Sequence, residues 1–189
     1  MTEISKARVL ILATDGFEQS ELEVPMTELR NRGATVHVAA PAKTLRSGEI
    51  MGWKGADWGR AVPVDTTLDA VDASSYDALV LPGGVINPDK LRVEPKAIET
   101  IKGFVRDGRI VAAICHGPWL LVEAGAVRGK RVTSYHSIRT DMENAGAEWI
   151  DKEVVTDEGI ITSRSPEDLP AFVAKILEEI GEGRHQRAA

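Results

Sequence analysis

Apolar and polar positions along the chain alternate between two periods. Arg8-Val9-Leu10-Ile11-Leu12-Ala13 is continuously apolar after its first residue, as expected of a strand buried on both faces of a parallel sheet. A turn-like stretch, Thr14-Asp15-Gly16-Phe17-Glu18, follows. Leu22, Met26 and Leu29 then recur at helical spacing, predicting a helix over 20–32 with Gly33 as its C-terminal cap. The strand and helix periods repeat: strands over 35–40, 76–81 and 110–114, helices over 96–106 and 118–124. Beyond these come a strand-like 131–134, a helical 138–144 and a hairpin pairing 154–155 with 160–162. The last helix is predicted over 169–180, with Ser165 as N-cap, Pro166 at the first position and Asp168 as the reciprocal acid.

The pattern weakens over 41–65, where four glycines accompany Trp53 and Trp58; this reads as a hairpin off the main sheet. The tail over 181–189 reads as frayed. With no internal repeat and no linker, a single α/β domain over 1–189 is expected, built on a mostly parallel central sheet.

Composition adds exclusions. A 43% hydrophobic share supplies a substantial core, and a net charge of −6 without a basic run argues against nucleic-acid or membrane binding. One cysteine forbids an intrachain disulfide. No apolar stretch reaches membrane-spanning length and the first residues lack a signal peptide's apolar core, so a cytoplasmic protein is expected.

Ligands of open parallel sheets bind at the carboxyl ends of the strands. Three segments converge there: Asp15 to Glu18, Gly83-Gly84, and Cys115-His116-Gly117. Cys115 at a strand–helix junction has the placement of a nucleophile at a sharp elbow, although Ala113 replaces the usual first glycine; the alternative is a buried cysteine acting as a small hydrophobe. Glu18 would assist the thiol only as a partly buried acid with a raised pKa; the alternative is a helix-start acid, a role that suits Glu21 and Glu23 better. His116 is either a general base or a bystander whose backbone N–H serves as an oxyanion donor. Gly83 and Gly84 allow close backbone approach to a ligand, or merely mark a turn. His37 reads as structural, His136 as a weaker pocket candidate and His185 as part of the tail. No zinc-ligand spacing, G-x-G-x-x-G or P-loop occurs, so neither a metal nor an organic cofactor is indicated.

With these residues in hand, the chain resembles the PfpI-like group of the ThiJ/PfpI superfamily. The resemblance is carried by Phe17-Glu18 with Glu21-Leu22 and Pro25, by the 76–84 stretch ending Leu81-Pro82-Gly83-Gly84, and by Ala113-Ile114-Cys115-His116-Gly117-Pro118. Further matches are Arg128-Gly129-Lys130, Asn144-Ala145-Gly146-Ala147-Glu148 and Thr162-Ser163-Arg164. It implies a flavodoxin-like three-layer sandwich with Cys115 at a strained elbow and Glu18 hydrogen-bonded to it. It also implies a pocket lined by Gly83, Gly84, Gly117 and Tyr135, and a homodimer or larger homo-oligomer. In peptidase-like members a neighbouring subunit's acid completes the histidine, and the matching position here is Asp89, one methylene shorter than the usual Glu. The Trp53–Trp58 stretch does not match well. The first function implied is a cofactor-independent glyoxalase or deglycase acting on methylglyoxal, glyoxal or early glycation adducts. An intracellular cysteine peptidase is the second, and a cysteine redox sensor or chaperone-like stress protein the third.

Overall fold

The computed structural model describes residues 3–185. In chain order, β1 (Arg8–Leu12) and β2 (Phe17–Glu18) precede α1 (Gln19–Asn31), followed by β3 (Thr35–Ala40), β4 (Glu49–Lys54), β5 (Asp57–Pro63) and β6 (Thr66–Thr67). Next come β7 (Ala78–Leu81), α2 (Ile86–Leu91), α3 (Pro95–Arg106), β8 (Ile110–Ile114) and α4 (Pro118–Glu123). The chain closes with β9 (Arg131–Val132), α5 (Arg139–Asn144), β10 (Glu148–Trp149), β11 (Val154–Asp157), β12 (Ile160–Ser163) and α6 (Leu169–Glu182).

The main sheet has seven strands in the order β11-β12-β8-β7-β1-β3-β6, parallel throughout except for the edge strand β11. Alternate residues of each central strand face opposite sides. Val9 and Ile11 of β1, with Ala112 and Ile114 of β8, pack against Leu22 and Leu29 of α1 and Phe172 and Ile176 of α6. Leu10 and Leu12 of β1, with Val111 of β8, pack against Ile101 and Phe104 of α3 and Leu120 of α4. A strand covered on both faces must be apolar at every position, which explains the unbroken run in β1. Each large side chain so buried contributes about 1.5–3 kcal/mol. The result is the expected mixed α/β sandwich.

From β1 the chain moves to β3 on one side, then returns past β1 to β7 and continues to β8 on the other. The loops after β1 and β7 therefore diverge, opening a crevice at the strands' carboxyl ends. The weakly patterned stretch forms a hairpin, as expected: β4 and β5 pair antiparallel, and β4 pairs with β2 to build a three-stranded sheet beside that crevice.

Several local expectations are corrected. The helix α2 is short, with Pro88 in its first turn, and lacks the length for an apolar period to show. The 131–134 stretch does not join the main sheet; Arg131 and Val132 pair only with β10. Ser165 makes no side-chain cap: the Asp168 N–H donates to the Ser165 carbonyl at 3.0 Å, and the Asp168 carboxylate turns to Arg164, accepting from Nε at 2.8 Å and Nη2 at 2.9 Å. The 154–162 hairpin turns on Glu158 and Gly159, both left-handed (φ 48° and 75°), as a type I′ turn requires. Of the tail expected to fray, α6 runs on to Glu182, and the His185 N–H donates to the Gly108 carbonyl at 2.8 Å; 186–189 lie outside the described residues.

Candidate active site

Cys115 lies where β8 turns into α4, with φ at +62°. For a residue with a Cβ this left-handed conformation costs about 1–2 kcal/mol, so the surroundings must hold it. The Cys115 N–H donates to Ser163 O at 3.1 Å, and its carbonyl accepts the Tyr135 N–H at 2.8 Å. Gly117 completes the elbow: a Cβ there would sit 2.5 Å from Leu81 O and 2.8 Å from Ile114 O. The expected nucleophile elbow is therefore present, with Gly117 serving its packing rather than the pocket wall.

Three kinds of group face the thiol. The backbone N–H groups of Gly84 and His116 are directed at Sγ and favour its charged form. His116 Nδ1 is 3.2 Å from Sγ, and its Nε2 is 3.2 Å from the Ser137 hydroxyl. The imidazole stacks on Tyr135, ring centroids 4.9 Å apart. The third group is the carboxyl of Glu21, which lies against the thiol.

Glu18 is thus displaced from its expected role. Its carboxylate accepts a hydrogen bond from the Ser20 hydroxyl at 3.3 Å and lines the cavity wall. The partner of Cys115 is Glu21, fully buried, with Oε2 accepting the Gly83 N–H at 2.8 Å and Oε1 buried without a conventional partner among the described residues. Glu18 ends β2, whereas Glu21 lies in the first turn of α1 on the face shared with Leu22, Pro25 and Leu29. An acid inside a helix's apolar stripe was the available signal, and it points to Glu21.

Burial, above all, pushes the Glu21 carboxyl up to about 8, so at neutral pH it keeps its proton. Burial and then the Glu21 charge push the Cys115 thiol up as well. Burial, followed by the neighbouring His136, pushes His116 down, leaving the imidazole neutral at rest. Cys115, Glu21 and His116 are therefore all neutral at rest.

Other expected residues fall in distinct places. Gly83 and Gly84 carry the loop past the thiol; Gly84 has φ at +77°, and a Cβ there would meet Gly16 O at 2.5 Å. Asp89 is exposed on α2 and does not line the cavity; within this chain it is the Ser137 hydroxyl that meets His116. Asn87 was not anticipated. It is fully buried, its Oδ1 accepting the Thr14 N–H at 2.8 Å and its Nδ2 donating to Pro82 O at 2.9 Å, which ties the β1 and β7 loops together. Cys115, Glu21, His116 and Tyr135 open into a cavity of about 610 Å³, closed on one side by Trp53. A somewhat larger apolar groove between α1 and α6 carries no nucleophile.

The raised Glu21 carboxyl has a consequence for stability. The folded state holds this proton up to about pH 8, whereas the unfolded chain releases it near the ordinary value of 4.5. Between those values the folded state binds more protons, so stability falls as pH rises through the window. The full effect is on the order of 5 kcal/mol. Thermal melts of Glu21→Gln against wild type are expected to show a stability gain that widens across this range; a pH-independent difference would contradict the assignment.

A sequence profile of the DJ-1/PfpI family matches residues 7–179. A Thermococcus kodakarensis protein named deglycase TK1284 is 43% identical over 171 residues, 90% of this chain and 98% of its own. General stress protein 18 of Bacillus subtilis is 41% identical over 166 residues, 87% of this chain and 92% of its own. Among solved structures, an Anabaena variabilis two-domain protein with DJ-1/ThiJ/PfpI-like and ferritin-like domains superposes with a TM-score of 0.86 at 36% identity, covering 93% of this chain and 48% of that one. No helix among the described residues is long and apolar enough to cross a membrane.

Proposed function

The chain belongs to the DJ-1/PfpI family, and from that premise we propose that it is a cofactor-independent deglycase with glyoxalase chemistry, acting on α-oxoaldehydes and their early adducts through Cys115. The observation that carries this reading is the pairing of a nucleophile with a buried, protonated acid, Glu21, on the Gly83 side of a cavity open to small carbonyls.

With methylglyoxal, Sγ attacks the aldehyde carbon while its proton passes to His116 Nδ1. The carbonyl oxygen takes the Glu21 proton, giving a hemithioacetal and a Glu21 carboxylate. That carboxylate removes the hydrogen from the aldehyde carbon, and the imidazolium protonates the ketone oxygen, giving an enediol. Glu21 returns a proton to the former ketone carbon as the first carbon's hydroxyl proton moves to His116, leaving a thioester of lactate. Water hydrolyses it, its proton going to Glu21, and the departing thiolate recovers a proton from His116. One carbon is oxidised and its neighbour reduced, so no external oxidant enters. The Gly84 and His116 N–H groups hold negative charge as it develops at the cysteine. For an adduct, the hemiaminal C–N bond breaks as the C–S bond forms, the departing amine taking the Glu21 proton while the thiol proton passes to His116, and the same hemithioacetal results.

Glutathione-free lactate formation from methylglyoxal by wild type, and its loss in Cys115→Ala, is the expected result. Equal lactate from the two proteins overturns the proposal. The peptidase reading retains one favourable observation, the 3.2 Å approach of His116 Nδ1 to Sγ; that pair serves the proposed reaction equally well.

A further inference from the structure

Away from the Cys115 cavity, metal-ligating side chains converge at the end of α6. We propose that Glu179, Glu182 and His185 form a binding site for a divalent transition ion, zinc above all, which ties the end of α6 to the turn between α3 and β8. One ligand atom from each of the three lies within 4.8 Å of the other two. Glu179 and Glu182 are three residues apart in α6 and share one face of the helix. His185 is returned to that face by Gly183, whose φ of 94° and ψ of −148° suit glycine alone. The return is held at two points: the Gly183 N–H donates to the Glu179 carbonyl at 3.0 Å, and the His185 N–H to the Gly108 carbonyl at 2.8 Å. Gly108 is itself required, since a Cβ there would run into the His185 carbonyl.

The donors are set for an ion rather than for each other. Glu179 is only 5% exposed, and among the described residues neither its Oε2 nor the buried Nε2 of His185 makes a hydrogen bond. The two atoms lie 2.7 Å apart, but the contact lacks hydrogen-bond geometry. Two ligands of one ion have that relation: they are close neighbours whose lone pairs meet at a third point. Electrostatics points the same way. Glu178, Glu179 and Glu182 crowd the end of α6, which has no basic residue in its last turn, at the pole of the helix dipole that favours cations. Lys175, one turn earlier, is taken by Glu178 at 2.7 Å. Burial pushes the Glu179 carboxyl up, and Glu182 adds to this against the pull of His185; a bound dication offsets that cost. Two carboxylates and an imidazole suit zinc, which takes three protein ligands at about 2.0–2.2 Å and a water, whereas magnesium and calcium prefer oxygen throughout. Glu182 is exposed, which gives the ion a way in and the freedom to close the ligand spread.

Calorimetric titration with zinc chloride tests the site, in the Cys115→Ala protein so that the thiol is not a competing ligand. One ion per chain is expected, bound at least about tenfold tighter than magnesium. Adding His185→Ala or Glu179→Gln should weaken zinc binding more than about tenfold, and adding His136→Ala should leave it unchanged. Zinc should also raise the melting temperature of the Cys115→Ala protein, and not that of the chain that also carries His185→Ala. Absence of zinc binding would reduce the cluster to an ion pair of His185 with Glu179 and overturn the site. An affinity that neither His185→Ala nor Glu179→Gln alters, or one lost in His136→Ala, would place the ion elsewhere and overturn it as well. His185 lies beyond the end of α6, so its variant decides the matter if Glu179→Gln does not fold.

Discussion

Replacing Glu21 by glutamine is expected to lower dicarbonyl turnover by about a thousandfold, within the range ascribed to a single positioned acid–base group, whereas Glu18→Gln costs less than tenfold. Glutamine is nearly isosteric, and its amide oxygen can still accept the Gly83 N–H that Oε2 now accepts at 2.8 Å. The local fold survives while the proton carrier is removed. The loss belongs in kcat: the proton that Glu21 gives in the capture step is also available from the imidazolium, whereas no other group removes the hydrogen from the hemithioacetal carbon. Steady-state rates of both variants with methylglyoxal check this; comparable losses in the two would mean that Glu21 is merely structural.

The second large effect is expected from one methyl group. A Cβ on Gly83 would lie 2.6 Å from Glu21 Oε2, 2.7 Å from the Cys115 Cβ and 2.7 Å from Ile114 O. The last is backbone of the central strand β8, and the Cys115 Cβ is fixed by the strained elbow, so the Gly83 loop itself must move. That movement carries away the N–H that holds Glu21 and displaces the neighbouring Gly84 N–H. Gly83→Ala should therefore cost about a hundredfold in turnover and destabilise the fold by about 1–3 kcal/mol. Gly103→Ala is the control: its Cβ would find only the Arg106 Nη2 at 3.9 Å, inside α3, and should stabilise slightly. Denaturant melts alongside activity separate the two cases. Full activity in Gly83→Ala would show that the loop tolerates a position the packing forbids.

Much of this was legible in the chain itself. Buried parallel strands must be apolar throughout, so β1 and β8 stand out, and the Cys-His-Gly-Pro stretch after β8 marks the elbow. The glycines at 83 and 84 announced close backbone approach, although which atoms they approach is a matter of tertiary packing. The choice between Glu18 and Glu21 was misjudged for a definable reason. Acids in the first turn of a helix are favoured by its dipole whether or not they have another task, so position alone did not distinguish them. The helical phase did, since Glu21 shares the face of Leu22, Pro25 and Leu29. Ser137 and Asn87 were not legible, because their partners lie 21 and 73 residues away in the chain. The pairing of β4 with β2 was not legible either, because β2 is only two residues long.

The central claim is that Cys115 captures the carbonyl and Glu21 moves the proton that completes the reaction. Native intact-protein mass spectrometry of Glu21→Gln mixed with methylglyoxal, which keeps the reversible adduct in place, tests it most directly. The account predicts a stalled single adduct that maps to Cys115, absent from Cys115→Ala, with no lactate released. Lactate release by Glu21→Gln at the wild-type rate, or an adduct that maps elsewhere while Cys115 stays free, would contradict it.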